Sequence, residues 1–188
     1  MNPIHNVICS SRRWRRRVER QLVPWGIDGL ELGPRVLELG PGFGATTRVL
    51  IRRLGRIDVL ELDRRYCERL QAGLGSQVTV TRGDATSMPY PDDTFSSVLC
   101  FTMLHHVPTR ELQDAVFAEA ARVLAPGGVF AGTDSVGTGR VFKLIHIGDT
   151  LVPIDPIELP TRLLAAGFEQ PHVDRVERSF RFRARKPA

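Results

Sequence analysis

Apolar residues fall along this chain in short blocks, and their spacing alternates between a helical and an extended period. Trp14, Val18 and Leu22 recur every four residues in a segment crowded with arginine, the mark of a narrow apolar stripe on a basic helix. Ser10 or Ser11 is placed to cap that helix, predicted over Arg12 to about Val23, and Pro24 closes it. Arg35 to Leu39 is a short apolar run ending in Gly-Pro-Gly, which reads as a buried strand feeding a turn. The pattern then predicts a helix over Thr46–Leu54 stopped by Gly55, a strand over Ile57–Leu62, and a helix from Arg64 to Ala72 ended by Gly73. Val78–Arg82 is a third strand, 83–93 a loop holding Pro89 and Pro91, and Phe95–Phe101 a fourth strand. A long amphipathic helix over Thr109–Leu124 stops before Pro126-Gly127-Gly128, and Val129–Thr133 is the fifth strand.

Strands alternating with helices argue for a doubly wound α/β fold with a mostly parallel sheet. The last part of the chain departs from this rhythm. After a helix over Leu159–Ala166, stopped by Gly167, come two extended runs, about Gln170–Val176 and Arg178–Arg185. A parallel pair needs a crossover of about a dozen residues, which the gap between these runs lacks, so they form an antiparallel pair. The predicted sheet is seven-stranded and Rossmann-like, with an antiparallel C-terminal strand.

Composition narrows the picture further. With 188 residues and 42% hydrophobic content, the chain is long enough to bury a core as one domain. No apolar run approaches the roughly 18 residues of a membrane helix. The first ten residues lack an apolar export signal, so the expected location is cytoplasmic, with no membrane partner. Cys9, Cys67 and Cys100 are scattered and form no Cys-x-x-Cys pair, which indicates neither a disulfide framework nor a metal site; Cys100 reads as a buried small hydrophobe. The net charge of +5 gathers in Arg12–Arg20 and Arg175–Lys186. Such runs are more often solvated faces than nucleic-acid sites.

The chemistry concentrates at Glu38-Leu39-Gly40-Pro41-Gly42-Phe43-Gly44. Gly40-x-Gly42-x-x-Ala45, between a strand and a helix, satisfies the nucleotide-binding fingerprint in its required context. By itself that pattern admits several adenosine cofactors. Glu38, two residues ahead of the first glycine, suits a ligand carrying an ammonium and would oppose a pyrophosphate by like charge. Glu61 closes the second strand, where a carboxylate can accept from both ribose hydroxyls, and Asp84 follows the third strand, placed to meet an adenine amino group. Three carboxylates at the ends of three consecutive strands converge on one crevice.

The blocks ELGPGFGATT, LELD, GDATSMPYPDDTF and ARVLAPGG, in this order, resemble those of class I S-adenosylmethionine-dependent methyltransferases over about Val36–Phe130. The similarity is greatest to the small-molecule branch that includes ubiquinone/menaquinone-type enzymes. This resemblance implies S-adenosylmethionine as cofactor, S-adenosylhomocysteine as product, and methyl transfer to a small molecule. It implies that Glu38, Gly40, Pro41, Gly42 and Gly44 hold the methionyl part. Glu61 with Leu62, and Asp84 with Ala85, would serve the adenosine, while Phe101 and Thr102 line the cofactor. Ser96 departs from the Asp common there, at a position read as structural. The implied layout is a single domain over 1–188: an N-terminal helical cap (1–34), a cofactor-binding core (35–133) and a substrate-side segment with a C-terminal hairpin (134–188).

His105 and His106 are candidates for a general base, since histidine titrates near working pH, although a structural or cofactor-side role is at least as frequent for this Leu-His-His-Val. His146 and Asp149 lie where the family places substrate contacts, or stand in an exposed loop. Asp63 reads as a helix cap, and Trp14 and Trp25 as packing for the first helix or as lid aromatics. An RNA methyltransferase is the alternative: GPGFGATT with LELDRRYCERL also resembles ribosomal RNA adenine dimethylases. Phe101–His106 lacks their base-stacking Asn-Leu-Pro-Tyr-like motif, however, so nucleic acid is the lesser candidate. A nicotinamide-dependent oxidoreductase and a non-catalytic adenosylmethionine-binding protein complete the alternatives. A homodimer is compatible with the basic first helix.

Overall fold

In the computed structural model, which describes residues 3–137, 142, 144 and 147–188, a seven-stranded sheet runs through the molecule. Its strands are β1 (Val36–Leu39), β2 (Ile57–Glu61), β3 (Val78–Arg82), β4 (Phe95–Phe101), β5 (Leu124–Ser135), β6 (Glu169–Val176) and β7 (Ser179–Arg185). They lie in the order β3-β2-β1-β4-β5-β7-β6, with β7 antiparallel to both of its neighbours. The order reverses at β1 and β4, so the carboxyl ends of these strands open a crevice where the loops diverge.

The sheet is covered on both faces. Helices α1 (Pro3–Ser10), α2 (Arg12–Arg17), α3 (Val23–Gly26), α4 (Ala45–Leu54) and α5 (Arg64–Leu74) belong to one side of the chain's alternation. There Val18, Leu22 and Val23 join Leu50, Val59, Leu99 and Phe101 in one core. Helices α6 (Arg110–Val123) and α7 (Leu159–Ala165) supply the second core, where Phe130 lies 5.0 Å from Phe182 and 6.0 Å from Phe117, centroid to centroid. β1 is buried at every position, as expected of a central parallel strand. β7 alternates instead: Phe180, Phe182 and Ala184 are buried, while Arg181, Arg183 and Arg185 point the other way.

Three predicted boundaries are corrected. Pro24 does not close the first helix. Ser11 caps α2 by accepting from the Trp14 N–H, but Val18–Leu22 then widens into a π-turn and the chain stays helical to Gly26. The Val23 N–H bonds back five residues to Val18, and this widened turn makes room for a proline that has no N–H of its own. Likewise α5 does not end at Gly73. It reaches Leu74, which packs on the core, and Gly75 makes the stop at a φ of 57°. The Pro126-Gly127-Gly128 segment becomes a bulged start of β5, because Leu124 pairs with Phe95 and Val129 with Ser97.

Candidate active site

The turn after β1 is built from glycine of necessity. Gly40 has a φ of 59°, and a Cβ there would sit 2.4 Å from the Met103 side chain, so both conformation and space exclude any larger residue. Its N–H donates to the Leu60 carbonyl at 2.9 Å, which ties the turn to β2. Gly44, at 71°, takes the left-handed position just ahead of α4.

Glu38 is 1% exposed and accepts a short hydrogen bond from the Thr46 hydroxyl in the first turn of α4. Its second oxygen, Oε2, is buried without a hydrogen-bond partner among the described residues. Burial pushes its carboxyl up to about 7; the Thr46 and Thr47 hydroxyls oppose this and the charge of Glu61 adds to it. An orphaned, desolvated carboxylate oxygen is stabilised by a cationic donor brought beside it. That requirement fits the ammonium of an amino-acid-bearing ligand.

Glu61 is also buried, and its carboxylate binds the turn to the second strand. Oε2 accepts from the Gly42 N–H at 2.9 Å and Oε1 from the Asp63 N–H at 3.0 Å. Asp63 caps α5, as its position predicted. Leu62 is 63% exposed, an apolar side chain facing solvent just after β2, and it does not line the cavity that opens beyond Gly42. The Gly83 N–H donates to the Glu61 carbonyl at 3.1 Å, which sets Asp84 next to the end of β2. Asp84 is exposed and accepts from the Thr86 N–H at 2.9 Å, while half-buried Ala85 packs on the core. The predicted residues Glu38, Gly40, Pro41, Gly42, Gly44, Glu61, Leu62, Asp84 and Ala85 thus share the carboxyl edge of three adjacent strands.

Beyond Gly42 opens a cavity of about 1100 Å³. Its floor is Gly40–Phe43 and Phe101–Met103, one wall comes from residues 8–25, and another from the hairpin turn at 176–179. Phe101 is buried at the end of β4. Thr102 follows with a φ of 51°, held by its N–H donating to the Thr133 carbonyl at 2.7 Å. A β-branched residue in the left-handed region is strained, and such strain gathers at functional sites.

Both His105 and His106 line this cavity. His105 is 3% exposed, and its Nδ1 makes a short contact with Oδ1 of Asp134, itself buried at the end of β5. The His105 backbone N–H donates to the other carboxylate oxygen at 3.2 Å. A carboxylate can only accept, so this grip keeps an Nδ1 proton toward Asp134 and turns the Nε2 edge of the ring away from it. His106 is tied elsewhere, with Nδ1 3.2 Å from the Thr150 carbonyl. His146 lies outside the described residues. Sequence reasoning passed over Asp134 and Thr46; the signal for Asp134 was an acidic residue terminating an otherwise apolar parallel strand.

Of the remaining expectations, the Ser96 hydroxyl is structural: it accepts from the Arg35 N–H and donates to the Arg35 carbonyl. Cys100 is fully buried and its thiol is pushed well up by burial, the inert small hydrophobe expected. Among the described residues no cluster of potential ligands could hold a metal ion, and no helix is long and apolar enough to cross a membrane.

Comparison with known proteins places this geometry. Residues 36–128 match the methyltransferase domain family. The sterol 24-C-methyltransferase of Eremothecium gossypii is 32% identical over 160 residues, covering 75% of this chain and 42% of that protein. Methyltransferase GfsG of Streptomyces halstedii is 34% identical over 115 residues, 58% of this chain and 40% of its own length. The chain therefore spans less than half the length of these curated relatives. Among solved structures, a possible histamine N-methyltransferase of Thermotoga maritima superposes with a TM-score of 0.75 at 20% identity, covering 97% of this chain and 98% of that one.

Proposed function

The chain belongs to the class I S-adenosylmethionine-dependent methyltransferases, and from that premise we propose that it methylates a small molecule bound in the cavity above Gly40–Phe43. The observation that carries this reading is the buried, unpartnered Oε2 of Glu38 beside the glycine turn. It calls for a cationic ligand, where a nicotinamide dinucleotide would bring a pyrophosphate against a buried acid. When bound, S-adenosylmethionine supplies a methyl carbon made electrophilic by its positive sulfur, and S-adenosylhomocysteine is the product.

The chain's own residues then have three tasks. Glu38 binds the ammonium, with Gly40, Pro41, Gly42 and Gly44 letting the backbone approach closely. Glu61 and Asp84 orient the adenosine, with Leu62, Ala85 and Phe101 as apolar contacts. His105, positioned by Asp134, takes the proton from an acceptor whose nucleophilic atom carries one. His106 and His146 are the remaining candidates for that role. Alignment and exclusion of water supply the rest, since the leaving group needs no further activation. Sterol is the acceptor named for the Eremothecium relative, and the walls formed by Trp14, Leu22, Trp25 and Phe101 favour an apolar acceptor body here.

Calorimetry with S-adenosylhomocysteine, S-adenosylmethionine and NAD tests the reading. Binding of the two adenosyl ligands and none of NAD is expected. Glu61→Ala should weaken the adenosyl ligands by about 1–3 kcal/mol through lost ribose hydrogen bonds. NAD binding without an adenosylhomocysteine signal would overturn the assignment.

A further inference from the structure

The wall of the cavity carries charge that the transfer reaction does not use. Arg17 and Arg20 reach it from the N-terminal helices and Arg178 from the turn between β6 and β7, with Glu177 as the acid on the same turn. Arg17 already spans the two elements, its guanidinium 3.4 Å from the Ser179 hydroxyl and over the Trp14 ring at 6.0 Å. Arg20 and Arg178 are exposed and make no ion pair or side-chain hydrogen bond among the described residues. Two neighbouring arginines are engaged: Arg52 with Glu19, and Arg181 with Asp174 and the Trp25 carbonyl.

The rest of the wall has another character. Ile8, Trp14, Leu22, Trp25, Phe101 and Phe142 present a mostly apolar surface in the same cavity as the glycine turn. Trp25 is fixed there by Arg181, whose guanidinium stands 5.7 Å from its ring. The cavity wall is therefore amphipathic, a mostly apolar lining joined by exposed guanidinium groups. Guanidinium groups are suited to carboxylate, sulfate and phosphate oxygens, and their planar forks are pre-organised for that contact.

We infer that the acceptor is an amphipathic anion: an apolar body lodged against Trp14 and Trp25, with an anionic group held by Arg20 and Arg178. The inference rests on the cavity being the acceptor site of a methyltransferase, and it adds the acceptor's charge. It also gives Arg20 a role that needs no nucleic acid, because the anion it meets is a single group in an apolar pocket.

Two probes that differ by one sulfonate group test this directly. 8-Anilinonaphthalene-1-sulfonate and its neutral parent, N-phenyl-1-naphthylamine, share one aromatic body, and both fluoresce on entering an apolar site. With S-adenosylhomocysteine present, the sulfonate should bind about tenfold more tightly than the neutral probe, a preference discounted for exposed cations. The double variant Arg20→Gln/Arg178→Gln should abolish that preference while leaving the neutral probe's affinity unchanged. Arg53→Gln, an exposed arginine on α4 away from the cavity, should keep it. Equal affinities for the two probes, or a preference that survives the double variant, would overturn the inference. So would displacement of the sulfonate by a single-stranded oligonucleotide as effective as that by an apolar carboxylate such as 1-naphthoate. Binding of S-adenosylhomocysteine by calorimetry is read separately, so failure of the arginine contact is distinguishable from failure of the methyltransferase reading.

Discussion

Glu38 shows at the scale of one residue how a site is maintained against stability. An unfolded glutamate titrates near pH 4.3, whereas in the folded chain burial holds Glu38 at about 7. Between those values the folded protein keeps a proton that the unfolded chain has released, so stability falls as pH rises through that window and levels off above it. Glu38→Gln removes this titration. The variant should be more stable than the parent at pH 8, by up to roughly 3 kcal/mol, with little difference at pH 4, yet bind S-adenosylmethionine less tightly. Urea unfolding at both pH values checks the first part; a parent that gains on the variant between pH 4 and pH 8 would show that Glu38 is not desolvated. The same scale governs His105. Asp134→Asn leaves a hydrogen-bonding group of equal size but no charge to hold the Nδ1 proton. Methyl transfer should fall about 100-fold with S-adenosylhomocysteine affinity retained. An unaltered rate and pH profile would remove His105 from the reaction.

Among elements, β7 separates the contributions of pattern and partner. Phe182 is 1% exposed and meets Phe130, whereas Arg183 faces outward from the same strand. Truncation of Phe182 to alanine should cost about 3–5 kcal/mol in urea unfolding. Arg183→Ala should stay within about 0.5 kcal/mol. Equal effects would contradict the alternation. The N-terminal helices teach the opposite lesson about legibility. Trp14, Val18 and Leu22 announced an amphipathic helix, and Val18 and Leu22 are buried as that stripe requires. Pro24 nevertheless misled, because a proline stop is a local rule while packing of Val23 and Gly26 on the sheet keeps the chain helical. The π-turn that reconciles the two leaves no sequence signature.

For the whole molecule, the crevice is a property of strand order. Glu38, Glu61 and Asp84 stand at one edge of the sheet because β1, β2 and β3 lie side by side, and the cavity exists because residues 8–25 and the β6–β7 turn come together with the ends of β1 and β4. Any ligand that binds only this assembled crevice stabilises the entire fold. S-adenosylhomocysteine at a hundred times its dissociation constant should add about 2.7 kcal/mol and raise the melting temperature by several degrees. NAD at the same concentration should leave it unmoved. A shift produced by NAD and not by S-adenosylhomocysteine would reverse the cofactor assignment.

Local features were enough to locate the strands, though not the start of β5, and to place several helix ends and the glycine turn. Buried parallel strands need unbroken apolar runs, a left-handed turn needs glycine, and both requirements are met within a few neighbouring residues. The three acidic strand ends were legible for the same reason. Their common crevice followed from the general rule for parallel sheets. The pairing of His105 with Asp134 belongs to tertiary structure, since it joins residues far apart in sequence across the β4–β5 edge. So does the contact of Arg17 with Ser179, which requires the hairpin to fold back along β5. Pair contacts of that kind depend on where whole elements are delivered, and hydrophobic periodicity specifies an element's buried face without specifying its distant neighbours.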